Sequence, residues 1–130
     1  SDEYAVLSPH GIVDPYPRPL KIQEGEGQKG RPLLRDDMGG EVGRKPLPVG
    51  WIVDTQYVPE KIFRPKQITR QQAIMSLLDN TVIVRVAPGR TLKTVVAAAK
   101  GARCLRGKRG DAKTAADQIH LRVSGDCHRV

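Results

Sequence analysis

The chain has few aromatic residues, only two cysteines and no long apolar run, and these features limit the classes of protein to which it can belong. Aromatic residues make up 4% of the sequence, and none lies beyond Phe63. With 38% of the residues apolar, the sequence predicts a small core built mainly from aliphatic side chains. No stretch of about 18 consecutive apolar residues occurs, so no membrane-spanning helix is predicted.

The two cysteines, Cys104 and Cys127, are too few for the disulfide framework of a small secreted domain. Two reduced thiols are the favoured interpretation, and a disulfide between them is the alternative. His120 and His128 could join them as zinc ligands, but the spacing of the four residues is wrong for a standard zinc site. No metal site is therefore predicted.

Motifs for cofactor binding and catalysis are absent as well. The letters GEGQKG, residues 25–30, match a dinucleotide-binding glycine pattern, but Pro32 follows where that pattern needs a helix. The acidic pair Asp36-Asp37 lies in a region rich in proline and glycine, which cannot hold two carboxylates in a fixed geometry. We therefore predict no cofactor and no enzymatic activity.

What the sequence does contain is an uneven distribution of charge. Residues 1–60 hold 7 Lys and Arg against 10 Asp and Glu, a net charge of −3. Residues 61–130 hold 15 against 4, a net charge of +11, which brings the chain to +8. Because a strongly basic half attracts anionic surfaces, this asymmetry favours a polyanionic partner.

Residues 1–48 are predicted to form an extended arm with little regular structure, followed by a small basic α/β domain over residues 49–130. Residues 1–50 contain 7 prolines and 8 glycines, a composition that disfavours a packed core. Such an arm cannot recover its ordering entropy by burying its own side chains, so we expect neighbouring proteins in a large assembly to bind it. The residues predicted to bind a partner are Pro15, Tyr16, Pro17, Arg18 and Pro19.

The first half of the predicted domain contains a strand and a helix. In VGWIVDTQYVP the residues alternate between an aromatic and β-branched face and a partly polar face, which predicts a strand over residues 50–58. Thr69 and Gln72 have the spacing of a capping box and precede apolar residues at helical intervals. They predict a helix over residues 69–79.

The second half of the domain is predicted to add two strands and one more helix. The β-branched run over residues 81–86 predicts a strand that ends at the turn beginning with Pro88. Thr91 is expected to cap a helix that ends near Gly101, and alternation in IHLRV predicts a last strand over residues 119–123. The predicted order is β-α-β-α-β, an α+β or small α/β fold with a three-stranded sheet and two helices.

The segment KGARCLRGKRGDAK, residues 100–113, is predicted to be a glycine-rich cationic loop. Clustered Lys and Arg side chains neutralise phosphates and release counterions. We therefore expect this segment to bind a nucleic acid, with RNA favoured, or another polyanion. Because no aromatic residue follows Phe63, contact with the phosphate backbone is expected instead of base stacking. A solvated loop and an acidic protein partner are the alternatives. The predicted binding residues are Lys100, Arg103, Arg106, Lys108, Arg109 and Lys113.

Together these features predict a non-catalytic structural component of a large assembly, with ribonucleoprotein particles of the ribosome type as the best-fitting class. A virion protein, such as a phage capsid, decoration or connector subunit, is the first alternative. A small enzyme or a subunit of a secretion or envelope machine is the second. The acidic start of the chain lacks the layout of a signal peptide, so a targeting segment either never existed or was removed, and no compartment is predicted.

Overall fold

The computed structural model describes residues 4–16, 20–22, 31–33 and 43–127. They form a mixed α/β fold with two three-stranded sheets, a two-stranded ladder and three α-helices. The strands are β1 (Val6–Leu7), β2 (Ile12–Asp14), β3 (Leu20–Ile22), β4 (Arg31–Leu33), β5 (Leu47–Pro48), β6 (Trp51–Tyr57), β7 (Lys66–Gln67) and β8 (Arg103–Arg109). The helices are α1 (Arg70–Asp79), α2 (Pro88–Ala99) and α3 (Ala112–Cys127).

The larger sheet has the strand order β6-β8-β7, with β8 in the centre. β8 runs parallel to β6, in a register that begins at Trp51 opposite Arg103 and ends at Tyr57 opposite Arg109. β7 pairs antiparallel with the other side of β8, opposite Leu105 and Arg106. Parallel strands need a long crossover connection between them. Here the chain between β6 and β8 contains both α1 and α2.

The predictions for β6 and α1 are confirmed. β6 occupies residues 51–57 of the predicted strand, and α1 begins directly after its N-cap, Thr69. The capping box is complete: the Thr69 hydroxyl accepts a hydrogen bond from the Gln72 amide at 3.2 Å, and the Gln72 side chain accepts one from the Thr69 amide at 3.0 Å.

The strand predicted over residues 81–86 is wrong. Residues Val82–Arg85 form a 3₁₀ helix, and no strand of the described residues pairs with them. Val82 and Val86 expose 77% and 83% of their surface. α2 also begins earlier than predicted, at Pro88, and Thr91 is a buried residue inside the helix whose hydroxyl donates to the carbonyl of Ala87 at 2.8 Å.

The strand predicted over residues 119–123 is also wrong, because this segment is the middle of α3. Asp111 accepts a hydrogen bond from the amide of Thr114 at 2.6 Å and thereby caps the first turn. Ala115 is buried and Ile119 and Val123 are partly buried. Their spacing of four residues is that of one helix face, so helical periodicity outweighs the short alternating pattern.

The cationic loop predicted over residues 100–113 is a strand over most of its length, namely β8. Cys104 and Leu105 are both buried although consecutive strand residues face opposite sides, because the sheet is covered on both faces at this point. Flexibility is not the reason for the glycine at position 107, because a Cβ at this position would lie 2.9 Å from the ring of Phe63. The mixed α/β class is therefore confirmed, but the strands and helices do not follow the predicted β-α-β-α-β order.

The core is small and contains much alanine, as the composition predicts. Ile52 and Cys104 from neighbouring strands pack against Ala73 of α1 and Ala99 of α2, and all four are less than 10% exposed. Alanine at both helix positions lets the helices lie close to the sheet. Among the described residues, no helix combines the length and the apolarity that crossing a bilayer requires.

Near the N-terminus, β1, β2 and β5 form the second three-stranded sheet, with β2 in the centre. Gly11, in the turn between β1 and β2, is buried and has a φ of 74°. A Cβ there would overlap the backbone of Ala97 and Ala98, so this hairpin lies against α2. Residues 4–16 are thus a docked hairpin, and the arm predicted over the remainder of residues 1–48 falls largely outside the described residues.

Replacing Gly11 by Ala should lower the free energy of unfolding by roughly 1–3 kcal/mol, because the new Cβ meets backbone atoms and the left-handed conformation disfavours it. Chemical denaturation of both proteins measures the difference. Gly43→Ala is the matched control, since a Cβ at Gly43 has no atom within 4 Å. Equal stability of the two variants would show that the hairpin does not dock on α2.

Candidate nucleic-acid interface

Four of the six cations predicted to bind nucleic acid lie on β8, where the strand divides them between two faces. Arg106 and Lys108 share the face on which α1 packs, and Arg103 and Arg109 share the opposite face. The other two lie outside the strand. Lys100 is exposed at the end of α2, and Lys113, in the first turn of α3, binds Asp117 at 3.0 Å.

On the α1 side, Arg106 belongs to a three-residue network that joins β8, β6 and α1. Its Nε donates to Oδ2 of Asp54 at 2.8 Å, and a terminal nitrogen donates to Oγ of Ser76 at 2.6 Å. The Ser76 hydroxyl in turn donates to the same carboxylate oxygen at 2.8 Å. The network fixes the guanidinium in position and still leaves N–H groups that no residue of the network accepts.

The carboxylate of this network is held in its charged form. The hydrogen bond from Ser76 and then the hydrogen bond and charge of Arg106 lower the pKa of Asp54 below its usual value of 3.8, although partial burial opposes the effect. Asp54 therefore stays ionised at neutral pH and neutralises one positive charge of this face.

Lys66 joins this face, because β7 places it directly opposite Arg106. We call Lys66, Arg106 and Lys108 the basic surface. Asp54, Gln56, Arg106, Gly107 and Lys108 line a concavity of about 330 Å³ beside it, in which Asp54 is the single carboxylate of the described lining. Lys66 was not identified from the sequence, since it lies far from residues 100–113 along the chain and only sheet pairing brings it close.

The opposite face of the sheet pairs arginines with aromatic rings. The guanidinium of Arg103 lies over the Trp51 ring at 5.5 Å from its centroid, and that of Arg109 lies over Tyr57 at 5.8 Å. Base stacking was not expected from the sequence, because no aromatic residue follows Phe63. Parallel pairing of β6 with β8 brings the aromatic rings and the arginines together and removes the ground for that expectation.

A groove of about 630 Å³ lies on this second face, between the sheet and the last two turns of α3. We call it the α3 groove. Its described lining combines one aromatic ring, two cations, one amide side chain and apolar residues, and includes no carboxylate: Trp51, Pro65, Gln67, Arg103, Cys104, Leu105, Leu121, Arg122 and Gly125.

Of the residues predicted to bind a protein partner, the structure describes Pro15 and Tyr16, and both are exposed. Pro17, Arg18 and Pro19 lie outside the described residues. Their role in partner binding therefore stays a prediction.

The potential metal ligands are not brought together in the part of the chain that the structure describes, where no group of three His, Cys, Asp or Glu residues forms a metal site. Cys104 is buried in the core, and this burial raises the pKa of its thiol. His120 is exposed on α3, with its ring 3.5 Å from the hydroxyl of Ser124. Cys127 is the last residue of α3, and His128 lies outside the described residues.

Comparison with protein-family models, with curated proteins and with solved structures finds no match. Function is therefore inferred from the geometry of the basic surface and of the α3 groove.

Asp54→Asn should lower the free energy of unfolding at neutral pH by about 1 kcal/mol, because Arg106 loses its anionic partner in a part-exposed network. The pKa of Asp54 is lower in the folded than in the unfolded chain. Its stabilising contribution is therefore complete above pH 3.8 and is lost as the pH falls through the lower folded value. Denaturation of wild type and variant from pH 7 into acid measures this, and the difference between them should disappear in acid.

The control for this experiment is Asp117→Asn, which removes an exposed pair between residues one turn apart on α3. Screening by solvent makes its effect far smaller than that of Asp54→Asn. A difference for Asp54→Asn that is as small as the control's at pH 7, or that persists unchanged in acid, would contradict the role given to the network.

Proposed function

We propose that this protein is a non-catalytic assembly component that binds the phosphate backbone of RNA through its basic surface. The observation that carries the proposal is the position of the cations on the central strand of the sheet. Arg106 and Lys108 lie on one face of β8, Lys66 lies beside them, and Asp54 is the one carboxylate among the described residues that line the neighbouring concavity. The net positive charge of this face makes it suited to a polyanion.

A strand presents these cations at lower entropic cost than a loop. Residues two positions apart on one strand face stand roughly 7 Å apart and keep that spacing. Arg106 is further held by Asp54 and Ser76, so less side-chain freedom is lost when it meets a phosphate. The remaining guanidinium N–H groups can donate to phosphate oxygens while the network stays intact.

The assembly part of the proposal is supported by exposed apolar residues around the 3₁₀ helix. Val82, Ile83 and Val86 are 77%, 57% and 83% exposed, and Leu92 and Val96 of α2 are nearly half exposed. Clusters of exposed apolar side chains are typical of surfaces that contact other proteins. A ribonucleoprotein subunit is the function we favour. A virion subunit is the second candidate, favoured by the same residues, which another copy of the chain could cover.

The double variant Lys66→Gln/Lys108→Gln tests the phosphate contacts. It should weaken RNA binding and flatten the dependence of log K on log salt by about 0.7 per lost contact with a single strand. Fluorescence anisotropy of a labelled RNA over a series of salt concentrations measures both quantities. Arg106 is left unchanged, because removing it would also break the network with Asp54 and Ser76.

The matched control is Arg90→Gln/Lys93→Gln on α2, which changes the net charge by the same amount at two exposed positions outside the basic surface. It should keep the wild-type slope. If the two double variants behave alike, the basic surface is not the binding site. If wild-type binding is insensitive to salt, the phosphate contact itself is refuted.

A further inference from the structure

We propose that the α3 groove holds an unstacked base of single-stranded RNA against Trp51, so that the protein binds single strands in preference to duplexes. This inference rests on the proposed RNA binding and adds to it a second contact, on the opposite face of the sheet from the basic surface. It identifies the class of nucleic acid, which phosphate contacts alone do not.

The groove has the walls that a base requires. One wall is the sheet, where Trp51 is partly exposed and the Arg103 guanidinium lies over its ring at 5.5 Å. The other wall is α3, where Leu121 is 65% exposed. Splayed bases in RNA complexes stack on aromatic rings or on guanidinium planes, and this groove offers both. A volume of about 630 Å³ lies within the roughly 300–1,000 Å³ of ligand pockets.

The polar groups of the groove fit the rest of a nucleotide. Gln67, exposed in the lining, carries an amide that can both donate to and accept from the edge of a base. Arg122, also exposed, can donate to a phosphate at the mouth of the groove. None of the described lining residues carries a carboxylate, so none of them repels the anion.

The shape of the groove explains the preference for a single strand. Bases of a duplex are stacked on one another inside the helix, and their faces cannot reach a concave site between a sheet and a helix. A base of a single strand can leave its neighbours at small cost and present a face to Trp51.

The second aromatic pair of this sheet face provides a natural control. Tyr57 and Arg109 have nearly the same ring-to-guanidinium distance as Trp51 and Arg103, but they do not line the groove. Phe63 and Pro65 lie over Gly107, between the two pairs along β8. Base binding is therefore expected at the pair in the groove and not at aromatic-arginine pairs in general.

Trp51 is the only tryptophan of the chain, so its fluorescence reports on the groove directly. The full chain is titrated with three ligands: single-stranded oligouridylate, an RNA duplex of equal length, and inorganic polyphosphate, which has charge but no bases. Oligouridylate should quench the emission in a saturable way. Polyphosphate and the duplex should bind and leave the Trp51 emission nearly unchanged. Their binding is measured by competition against a labelled RNA.

Affinities of variants complete the test. Trp51→Leu should weaken binding of the single strand roughly 10-fold, the loss expected for one stacked base, and leave duplex affinity unchanged. Tyr57→Leu should leave both affinities near wild type. Trp51→Phe keeps an aromatic ring and should restore part of the single-strand affinity, and Arg122→Gln, at an exposed position, should weaken single-strand binding without altering the fold.

The outcomes separate this inference from the function on which it rests. If single-stranded RNA binds with a steep salt dependence but neither quenches Trp51 nor distinguishes Trp51→Leu from Tyr57→Leu, the groove does not hold a base and the phosphate contacts stand. If neither RNA nor polyphosphate binds, the proposed function and this inference both fail.

Discussion

The parallel pairing of β6 with β8 is the interaction on which the rest of this structure depends. It joins a strand from the acidic half of the chain to a strand from the basic half, across a crossover that contains α1 and α2. Its register sets Trp51, Asp54 and Tyr57 opposite Arg103, Arg106 and Arg109. Each arginine of the strand therefore meets either a carboxylate or an aromatic ring, which reduces the repulsion that four cations on one central strand would otherwise cause.

The same pairing builds the core and separates the two surfaces that we propose bind RNA. Ile52 and Cys104, neighbours in the ladder, meet the alanines of α1 and α2 on one face. Leu105 is buried on the other, where α3 forms the second wall of the groove. Because side chains alternate along a strand, seven residues suffice to direct cations toward both faces of the sheet. One surface is proposed to bind phosphate, and the other is proposed to hold a base.

Sequence patterns predicted the elements whose signals are local and failed where tertiary pairing decides. The capping box of Thr69 lies within four residues and was readable, as was the alternation of β6. The strand β8 was not, because burial of both Cys104 and Leu105 requires cover on two faces and because Gly107 looks like a flexible position until the ring of Phe63 is placed against it. Conversely, residues 81–86 are mostly β-branched and have high strand propensity, but no strand of the described residues pairs with them, and propensity alone cannot supply a partner.

Both proposals follow from one claim, which is that the basic segment forms the central strand of the sheet and not a loop. Hydrogen–deuterium exchange of the isolated protein, resolved by peptide, tests it most directly, because a strand paired on both sides protects its backbone amides and a solvated loop does not. The account predicts that the amides of Arg103–Arg109 exchange among the slowest of the chain and far more slowly than those of residues 43–46. Exchange of the two segments at the same fast rate would contradict it.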